Sequence, residues 1–396
     1  MRNKFRLSLI FCILLLNPFS RVLSCTLADS VYVTGNVFNQ AGSPLNQLKI
    51  SVYTDPGSVL NSPDVSGTTC KEGSFRFKIP AGLIYLVELE GDQGAGRIVI
   101  SGTKRSTENL SIEYPVVEKV VILHTNDHHF TFNKLPEFRA AVDRLREKYD
   151  DVFLFCSGDI FVRHPARWIV NGKLMRDPGW YGERTMYMIN NMNELGYDLL
   201  TPGNHEFAYR EPYTRQALDA AQFPLVAANI KISTDAFPPV EQYVVFKTST
   251  WRDMTVLGLS NGSADGIQVL DVSETVNQLM HLRDSCDIFI ALTHIGLRRD
   301  RALAEEFPQF DVIIGGHSHD LLKDAIMVNS VLVAQAGGNP HFVSDHYPVY
   351  IGKVILTLEN GFIRDKRGRV FELEDSGSGT GKKKQPEVEF FAVPEF

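Results

Sequence analysis

The sequence predicts an α/β domain that follows a small all-β domain. Five short apolar runs after residue 119 each lead to a histidine, aspartate or asparagine, and amphipathic helical stretches alternate with these runs. Segment 26–116 instead contains only short strand-like runs separated by turn residues. Apolar runs bounded by glycine or polar residues are typical of strands buried on both faces. In open α/β sheets, ligand-binding side chains gather at the carboxyl ends of such strands.

Length and composition limit the classes of protein to which the chain can belong. A chain of 396 residues is long enough for two or three domains of about 100–200 residues each. An apolar content of 44% is ordinary for a globular protein and argues against disorder or several membrane spans. The formal net charge of −7 provides no basic surface, so a nucleic-acid polymer is not an expected partner. These features predict no particular oligomeric state.

Residues 1–25 have the pattern of an export signal. Three basic residues precede the apolar stretch 7–16, which is much shorter than the ~20 residues of a membrane-spanning helix. The stretch is followed by Val22-Leu23-Ser24-Cys25, which resembles a bacterial lipobox whose cysteine is lipidated and becomes the first mature residue. An ordinary signal peptide cleaved nearby is the alternative. We therefore predict an exported protein, in a bacterial periplasm or at the cell surface, that contacts the membrane only through a lipid on Cys25.

Residues 26–116 predict a small all-β sandwich domain. Segments 31–38, 48–53, 74–79, 83–89 and 97–100 have the composition of strands, and Gly, Pro and Asp residues separate them. The layout resembles the transthyretin-like or carboxypeptidase-regulatory-like β-sandwich. All eleven histidines lie after residue 123, so this domain is expected to carry no chemistry. The polar segment 101–114 is the predicted boundary.

Residues 117–374 form the predicted α/β domain. Segment 137–149 places its apolar side chains on one helical face. The dipeptide Asn360-Gly361 predicts a closing hairpin with a two-residue turn. The tail 375–396 begins with a Ser-, Gly- and Lys-rich stretch and is predicted to be disordered. Other predicted helices are 185–195, 214–221 and 272–283, and other predicted strands are 224–230, 255–259, 331–335 and 354–358.

Seven side chains that follow the apolar runs can bind metal ions through nitrogen or oxygen. A single ion takes about three or four protein ligands, so this number suits two divalent ions. A lone histidine after a strand is usually a buried core residue, and the prediction therefore depends on the whole set. The seven residues are Asp127, His129, Asp159, Asn204, His294, His317 and His319.

These residues stand in five motifs that occur in a fixed order. The motifs are Thr-Asn-Asp-His-His from residue 125, Ser-Gly-Asp from 157, Gly-Asn-His-Glu-Phe from 203, Thr-His from 293 and Gly-Gly-His-Ser-His from 315. Together they resemble the signature of calcineurin-like metallophosphoesterases, in the 5'-nucleotidase / UDP-sugar hydrolase branch. The resemblance is to the N-terminal metallophosphatase domain of that branch and covers residues 119–372. It implies a four-layer αββα sandwich.

The resemblance also implies a role for each ligand. His205 would face the substrate as the catalytic residue, and Asp159 would bridge two ions because a carboxylate has two oxygens. Mixed histidine and carboxylate ligation suits Zn, Mn, Fe or Co. In an extended segment, side chains two positions apart point the same way, so His128 is expected to face away from the site. The first ion would be held by Asp127, His129 and His319, and the second by Asn204, His294 and His317.

Two departures from the branch affect the prediction of the substrate. Ala208 stands where the branch usually has an aspartate that orients the catalytic histidine. Only a short tail follows the hairpin, whereas nucleotidases usually carry a C-terminal domain whose aromatic residues stack on the base. We therefore predict an exported phosphoesterase with two metal ions and a small phosphorylated substrate, with nucleotides first. UDP-sugars, cyclic nucleotides and other small phosphoesters are alternatives, and a catalytically silent, metal-binding surface protein is the alternative of a different class.

Overall fold

The computed structural model describes most of the two predicted domains. The predicted signal with Cys25 and the predicted tail 375–396 lie outside the described residues. Among the described helices, none is both long enough and apolar enough to cross a membrane. The described residues are 30–54, 63–81, 83–92, 94–101, 108–132, 134–162, 168–170, 173–175, 178–208, 212–339 and 350–373.

Two small sheets make up the N-terminal β unit, which extends over residues 30–113. One sheet has the order β4-β1-β7 and the other the order β3-β2-β5-β6. Apolar side chains from both sheets form a single core between them, as expected for a sandwich. The strands are β1 (Ser30–Phe38), β2 (Lys49–Tyr53), β3 (Val65–Thr68), β4 (Ser74–Pro80), β5 (Ile84–Gly91), β6 (Gly94–Ser101) and β7 (Glu108–Glu113).

Strand β7 lies in the polar segment 101–114 that was predicted as the boundary, and inside the predicted β domain 26–116. It pairs in parallel with β1, so this part of the segment belongs to the β unit. The polar composition of this strand concealed it, because an edge strand needs few apolar side chains. Among the side chains of β7 whose burial is described, Ile112 is the buried one. Strand β3 was also not predicted, since four residues that include Ser, Gly and Thr give little strand signal.

The α/β domain contains two larger sheets. Their orders are β12-β9-β8-β21-β22 and β14-β15-β17-β18-β20-β19. The strands are β8 (Val117–Thr125), β9 (Asp151–Cys156), β10 (Trp168–Val170), β11 (Lys173–Met175), β12 (Leu199–Leu200), β13 (Ile230–Ile232), β14 (Tyr243–Lys247), β15 (Asp253–Ser260), β16 (Ile267–Val269), β17 (Ile288–His294), β18 (Val312–Gly315), β19 (Ile326–Val328), β20 (Val331–Gln335), β21 (Tyr350–Glu359) and β22 (Phe362–Glu372).

Helices cover the outer faces of both sheets. Along β8, Val121 and Leu123 pack into the core shared with helices, while Val120 and Ile122 pack into the core shared with the second sheet. A third core joins the second sheet to its own helices. The four-layer αββα prediction is therefore confirmed. The helices are α1 (Leu135–Lys148), α2 (Pro178–Leu195), α3 (Asn204–Phe207), α4 (Pro212–Asp219), α5 (Val272–Leu279), followed by a 3-10 helix (Met280–Ser285), and α6 (Leu297–Glu306).

Among the remaining elements, the hairpin turn was predicted correctly, one predicted strand is wrong and one helix was not predicted. Asn360 and Gly361 have φ of 49° and 87°, which fits the predicted two-residue hairpin turn between β21 and β22. The predicted strand 224–230 is wrong, because its backbone N–H groups bond to three different segments rather than to one partner strand. Those bonds run from Val226 to Leu200, from Ala227 to Glu241 and from Ala228 to Gly258. Helix α6 was not predicted.

A buried arginine joins the β unit to the α/β domain. Arg252 is only 3% exposed, and its Nη2 donates to Glu118 Oε1 at 2.8 Å and to the Ala95 carbonyl at 2.9 Å. The hairpin turn adds a second link, since Asn360 Oδ1 accepts a hydrogen bond from the Val116 backbone N–H at 2.9 Å. The two units therefore share a desolvated polar interface.

Candidate metal centre

The predicted ligands meet at the carboxyl ends of neighbouring strands. Within each of three groups, the potential ligand atoms of the side chains lie within 4.8 Å of one another. Asp159 belongs to the group with His294 and to the group with His205, and His129 also belongs to two groups, so these two residues connect all three groups. We name Asp127, His129 and His319 the first group, and Asp159, His294 and His317 the second group; the third consists of His129, Asp159 and His205.

The side chains of the first group converge on one point. Asp127 Oδ1 lies 3.3 Å from His319 Nε2 and 3.8 Å from His129 Nε2, and the two Nε2 atoms are 3.3 Å apart. The His129 Nδ1 atom is 3.1 Å from the Phe161 carbonyl. A carbonyl oxygen only accepts hydrogen bonds, so Nδ1 carries the proton and Nε2 keeps its lone pair for a metal.

The second group is arranged in the same way. His294 Nε2 lies 3.2 Å from Asp159 Oδ2, and His294 Nδ1 donates to the Ser157 carbonyl. The rings of His294 and His317 are 5.2 Å apart between centroids and inclined at 62°. Asn204 begins α3 close to these two rings. The backbone just before it passes very near His294, since a Cβ on Gly203 would lie only 2.6 Å from His294 Nε2. The residue before Asn204 must therefore be glycine.

Unpaired buried atoms show that these residues fit a metal ion. The buried atoms that have no hydrogen-bond partner among the described residues include Asp127 Oδ1, Asn204 Oδ1 and His294 Nε2. A buried polar atom left unpaired costs about 1–3 kcal/mol, and buried charges are normally paired or bound to metals. All three atoms belong to predicted ligands: a cation in the first group would satisfy Asp127 Oδ1, and a cation in the second group would satisfy Asn204 Oδ1 and His294 Nε2.

The electrostatics of the site also favour a cation. Burial lowers the pKa of His129 to about 3 and that of His317 to about 4, so both imidazoles stay neutral, as metal ligation requires. Burial raises the pKa of Asp127 to about 7. Burial also opposes protonation of His294, yet the charges of Asp159 and Asp127 raise its pKa to about 10. The two carboxylates thus attract positive charge, which a metal ion supplies.

Left-handed backbone conformations shape the ligand loops. Residues other than glycine rarely adopt a positive φ, and residues that do so cluster at functional sites. Both Asp127 and His129 have a positive φ, so the prediction that their side chains point the same way because the segment is extended rests on wrong reasoning. The segment turns instead, since the Asp127 and His129 N–H groups donate to the Gly158 and Asp159 carbonyls. The site residues with positive φ are Asp127 (52°), His129 (47°), Asp159 (52°), His317 (79°) and His319 (55°).

His128 points away from the metal groups, as expected. Its Nε2 lies 2.8 Å from Thr125 Oγ1, and its ring stacks on Phe132 with centroids 4.6 Å apart. It belongs to none of the three groups of potential ligands found among the described residues. His128 is therefore a core histidine.

His205 lies beside the shared carboxylate. Its backbone N–H donates to Asp159 Oδ1 at 2.9 Å, its Nε2 is 3.9 Å from Asp159 Oδ2, and its ring centroid is 4.7 Å from that of His129. The side chain is 14% exposed, so a substrate can reach it. The methyl group of Ala208 cannot accept a hydrogen bond, so position 208 cannot orient the ring as the aspartate of related enzymes would.

Glu206 organises the site and was not predicted. It is fully buried, and its carboxylate accepts hydrogen bonds from the backbone N–H groups of Gly203 at 2.7 Å, Asp159 at 2.8 Å and Phe161 at 2.9 Å. The available signal was its place three residues after Gly203 at the start of α3, which is the spacing of a capping box.

Asn126 supports the first group and was also not predicted. Its Nδ2 donates to Asp127 Oδ2 at 2.6 Å, and its Oδ1 accepts from the Ala336 N–H at 2.9 Å. The same Asp127 oxygen accepts from the His317 N–H at 2.9 Å. One carboxylate oxygen of Asp127 is therefore held by the protein, while the other faces the ligand cluster.

Comparison with solved structures supports the fold. A 5'-nucleotidase precursor from Thermus thermophilus superposes with a TM-score of 0.51 at 20% identity, over 64% of this chain and 54% of that chain. A putative 5'-nucleotidase from Staphylococcus aureus gives a TM-score of 0.52 at 18% identity, over 67% and 56%. At these identities the likeness shows the fold alone.

Relatives found by sequence include two whose names refer to nucleotides. The chain is 26% identical to the trifunctional nucleotide phosphoesterase protein YfkN of Bacillus subtilis over 63% of this chain and 19% of the relative. It is 28% identical to protein UshA of Escherichia coli over 55% and 44%, and 28% identical to a 5'-nucleotidase of Vibrio cholerae over 51% and 40%. The chain thus spans less than half the length of each of these relatives.

The family itself is identified by a direct match. Residues 120–321 match the calcineurin-like phosphoesterase family, and no family match identifies the N-terminal β unit. The matched segment spans just over half of the chain and contains all seven predicted ligands. The chain therefore belongs to the calcineurin-like phosphoesterases, a family of metal-dependent phosphoesterases whose bound metal ions the histidine and aspartate groups are suited to hold.

Proposed function

We propose that the protein is a phosphoesterase with two metal ions that hydrolyses small phosphorylated molecules, with nucleotides as the first candidates. The observation that carries this proposal is the position of Asp159, which lies in the second group and also in the third group, where it meets His129 of the first group. Asp127, His129 and His319 would hold one ion, and Asn204, His294 and His317 the other. The donor set suits Zn, Mn, Fe or Co. The printed names of relatives as nucleotide phosphoesterase and 5'-nucleotidase support a nucleotide substrate.

Metal ions and protein side chains would have separate roles in the reaction. When bound, two such ions act as Lewis acids toward phosphoryl oxygens and lower the pKa of water. His205 is placed beside the shared carboxylate and is accessible, so it can protonate the leaving oxygen or donate a hydrogen bond to the phosphoryl group. Glu206 and Asn126 hold the ligand loops, and burial keeps His129 and His317 neutral and ready to bind.

A substrate panel tests the proposed reaction. The metal-reconstituted protein should hydrolyse at least one member of a panel of nucleoside monophosphates, cyclic nucleotides, UDP-sugars and bis(p-nitrophenyl) phosphate. A chelator should abolish that hydrolysis, and added metal should restore it. Two bound ions without turnover of any member would instead favour the catalytically silent, metal-binding surface protein.

Replacing His205 should separate catalysis from metal binding. His205→Gln should leave metal content unchanged and reduce turnover by roughly 10²–10⁴-fold, the usual contribution of general acid–base help. The loss should be larger for alkyl phosphate esters than for p-nitrophenyl esters, because an alkoxide needs a proton and p-nitrophenolate hardly does.

Two controls interpret that result. His281→Gln changes an exposed histidine of the 3-10 helix and should leave both rates unchanged. Equal losses on both ester types would mean that His205 acts on the phosphoryl group, or that alanine at position 208 has removed the acid role. Loss of metal in His205→Gln would contradict the separation of roles.

Export and lipidation at Cys25 form the second part of the proposal. The basic and apolar pattern of residues 1–25 supports it. Cys25→Ser should move the protein from the membrane fraction to the soluble periplasmic or secreted fraction, because the lipid would be its only anchor. Cys12→Ser, within the signal itself, is the matched control and should leave the distribution unchanged. A Cys25→Ser protein that stays with the membranes would exclude the lipid anchor.

A further inference from the structure

Asp300 is a buried carboxylic acid next to the metal centre that is not among the ligands. It lies on α6 and is fully buried. Its Oδ1 accepts a hydrogen bond from the Thr293 hydroxyl at 2.5 Å. Its Oδ2 is buried without a hydrogen-bond partner among the described residues. An incompletely paired buried carboxyl lowers stability, so its presence here suggests a role other than stabilising the core.

The carboxyl group sits where two parallel strands stop pairing. Strands β17 and β18 are in register up to the pair Leu292 and Ile314. Thr293 and Gly315 are the next residues of each strand. A Cβ added to Gly315 would lie 2.1 Å from Asp300 Oδ2 and 3.5 Å from Thr293 Oγ1. Asp300 therefore contacts both strand ends at once, and only glycine leaves room for it at position 315.

Two ligands of the second group leave the sheet from these strand ends. His294 follows Thr293 directly, and His317 stands two residues after Gly315. Their rings are 5.2 Å apart between centroids. Beyond Leu292 and Ile314 the two strands no longer pair with each other, although β17 still pairs with β15 and β18 with β20. The helix is itself tied to the intervening loop, since the Asp300 N–H donates to the Gly296 carbonyl at 3.0 Å.

We propose that Asp300 is a positioning residue that sets the separation of His294 and His317 and thereby the affinity of the second metal ion. This inference rests on the proposed function, because it requires an ion in the second group. The carboxyl acts as a wedge and a tether: its volume holds Gly315 away, and its hydrogen bond holds Thr293 in place. Its effect on the first group is smaller, since two of the three ligands of that group, Asp127 and His129, follow β8 in the other sheet and only His319 follows β18.

Calorimetric titration of the metal-free full chain with Mn²⁺ tests the proposal. The wild type should bind two ions. Asp300→Ala should weaken one of them by about 10–100-fold, the usual cost of losing a partner that orients a ligand, and leave the other within a factor of about three. Asp300→Asn keeps the volume and the acceptor for Thr293, so its loss should be smaller. Should Asp300→Ala not fold, Thr293→Val, compared with Thr293→Ser, removes only the tether and should weaken the same ion.

Asp311→Ala is the matched control. Asp311 is a buried carboxylate at the opposite end of the same two strands, where its Oδ2 accepts from the Phe289 N–H at 2.9 Å. This variant should lower the unfolding temperature and leave both Mn²⁺ affinities unchanged. Unchanged affinities in Asp300→Ala and Thr293→Val, or an equal loss in Asp311→Ala, would overturn the positioning role. A folded wild type that binds neither Mn²⁺ nor Zn²⁺, Fe²⁺ or Co²⁺ would contradict the proposed function instead.

Discussion

Asp159→Asn should remove most of the bound metal and lower turnover by roughly 10³-fold, since bound ions supply several kcal/mol of transition-state stabilisation. The variant weakens the carboxylate that belongs to the second and third groups and that is proposed to bridge the two ions. Its shape is retained, and the side-chain oxygen can still accept the His205 N–H, so the fold should persist. Metal content by elemental analysis and turnover should fall together.

A surface aspartate provides the control for that experiment. Asp271 is the exposed N-cap of α5, and its side chain accepts from the Glu274 N–H. Asparagine caps helices as well as aspartate does, so Asp271→Asn should change neither metal content nor turnover. Two retained ions with full activity in Asp159→Asn would refute the bridging assignment.

Glu206→Ala should prevent stable folding of the α/β domain. Three buried backbone N–H groups donate to this carboxylate, and each would lose its acceptor at a cost of about 1–3 kcal/mol. The sum is comparable with the whole stability of a domain, about 5–15 kcal/mol. Glu206→Gln keeps one oxygen but turns an NH₂ group toward a donor, so its loss should be intermediate. Urea denaturation followed by circular dichroism measures both.

Glu305, an exposed glutamate on α6, provides the control for the loss of a negative charge in Glu206→Ala. Glu305→Ala should change the free energy of unfolding by less than about 0.5 kcal/mol, as surface substitutions usually do. If Glu206→Ala lost no more than Glu305→Ala, the three hydrogen bonds would not hold the Asp159 loop. Retained stability combined with lost metal would mean that Glu206 acts on ligand geometry alone.

The buried strands of the α/β domain were predictable because burial on both faces leaves a continuous apolar run. Val120 to Leu123 is such a run: alternate side chains enter two different cores, so polar residues are excluded from every position. The ligands stand immediately after these runs, and the sheet brings them together. Edge strand β7 lacks this constraint, since one side of it meets solvent, and its polar sequence was read as a linker.

The conformations and supports of the ligand loops were not predictable from local sequence. Asp127 and His129 adopt left-handed conformations because their N–H groups bond to the distant carbonyls of Gly158 and Asp159. Asp300 resembles any polar residue in a helix full of charges until Gly315, fifteen residues later, is seen against its carboxyl group. Such contacts depend on the tertiary fold, which a single sequence does not display.

The buried Arg252 has a consequence for how the protein melts. Its guanidinium group bonds to Glu118 of the α/β domain and to the Ala95 carbonyl of the β unit. Unfolding of the β unit therefore exposes the buried ion pair to water, and unfolding of the α/β domain leaves the Ala95 carbonyl without its donor. Thermodynamic linkage then extends across the junction, because a ligand that binds only the folded state stabilises everything that unfolds with it. Metal binding should thus protect the β unit from heat and proteases, although it contributes no predicted ligand.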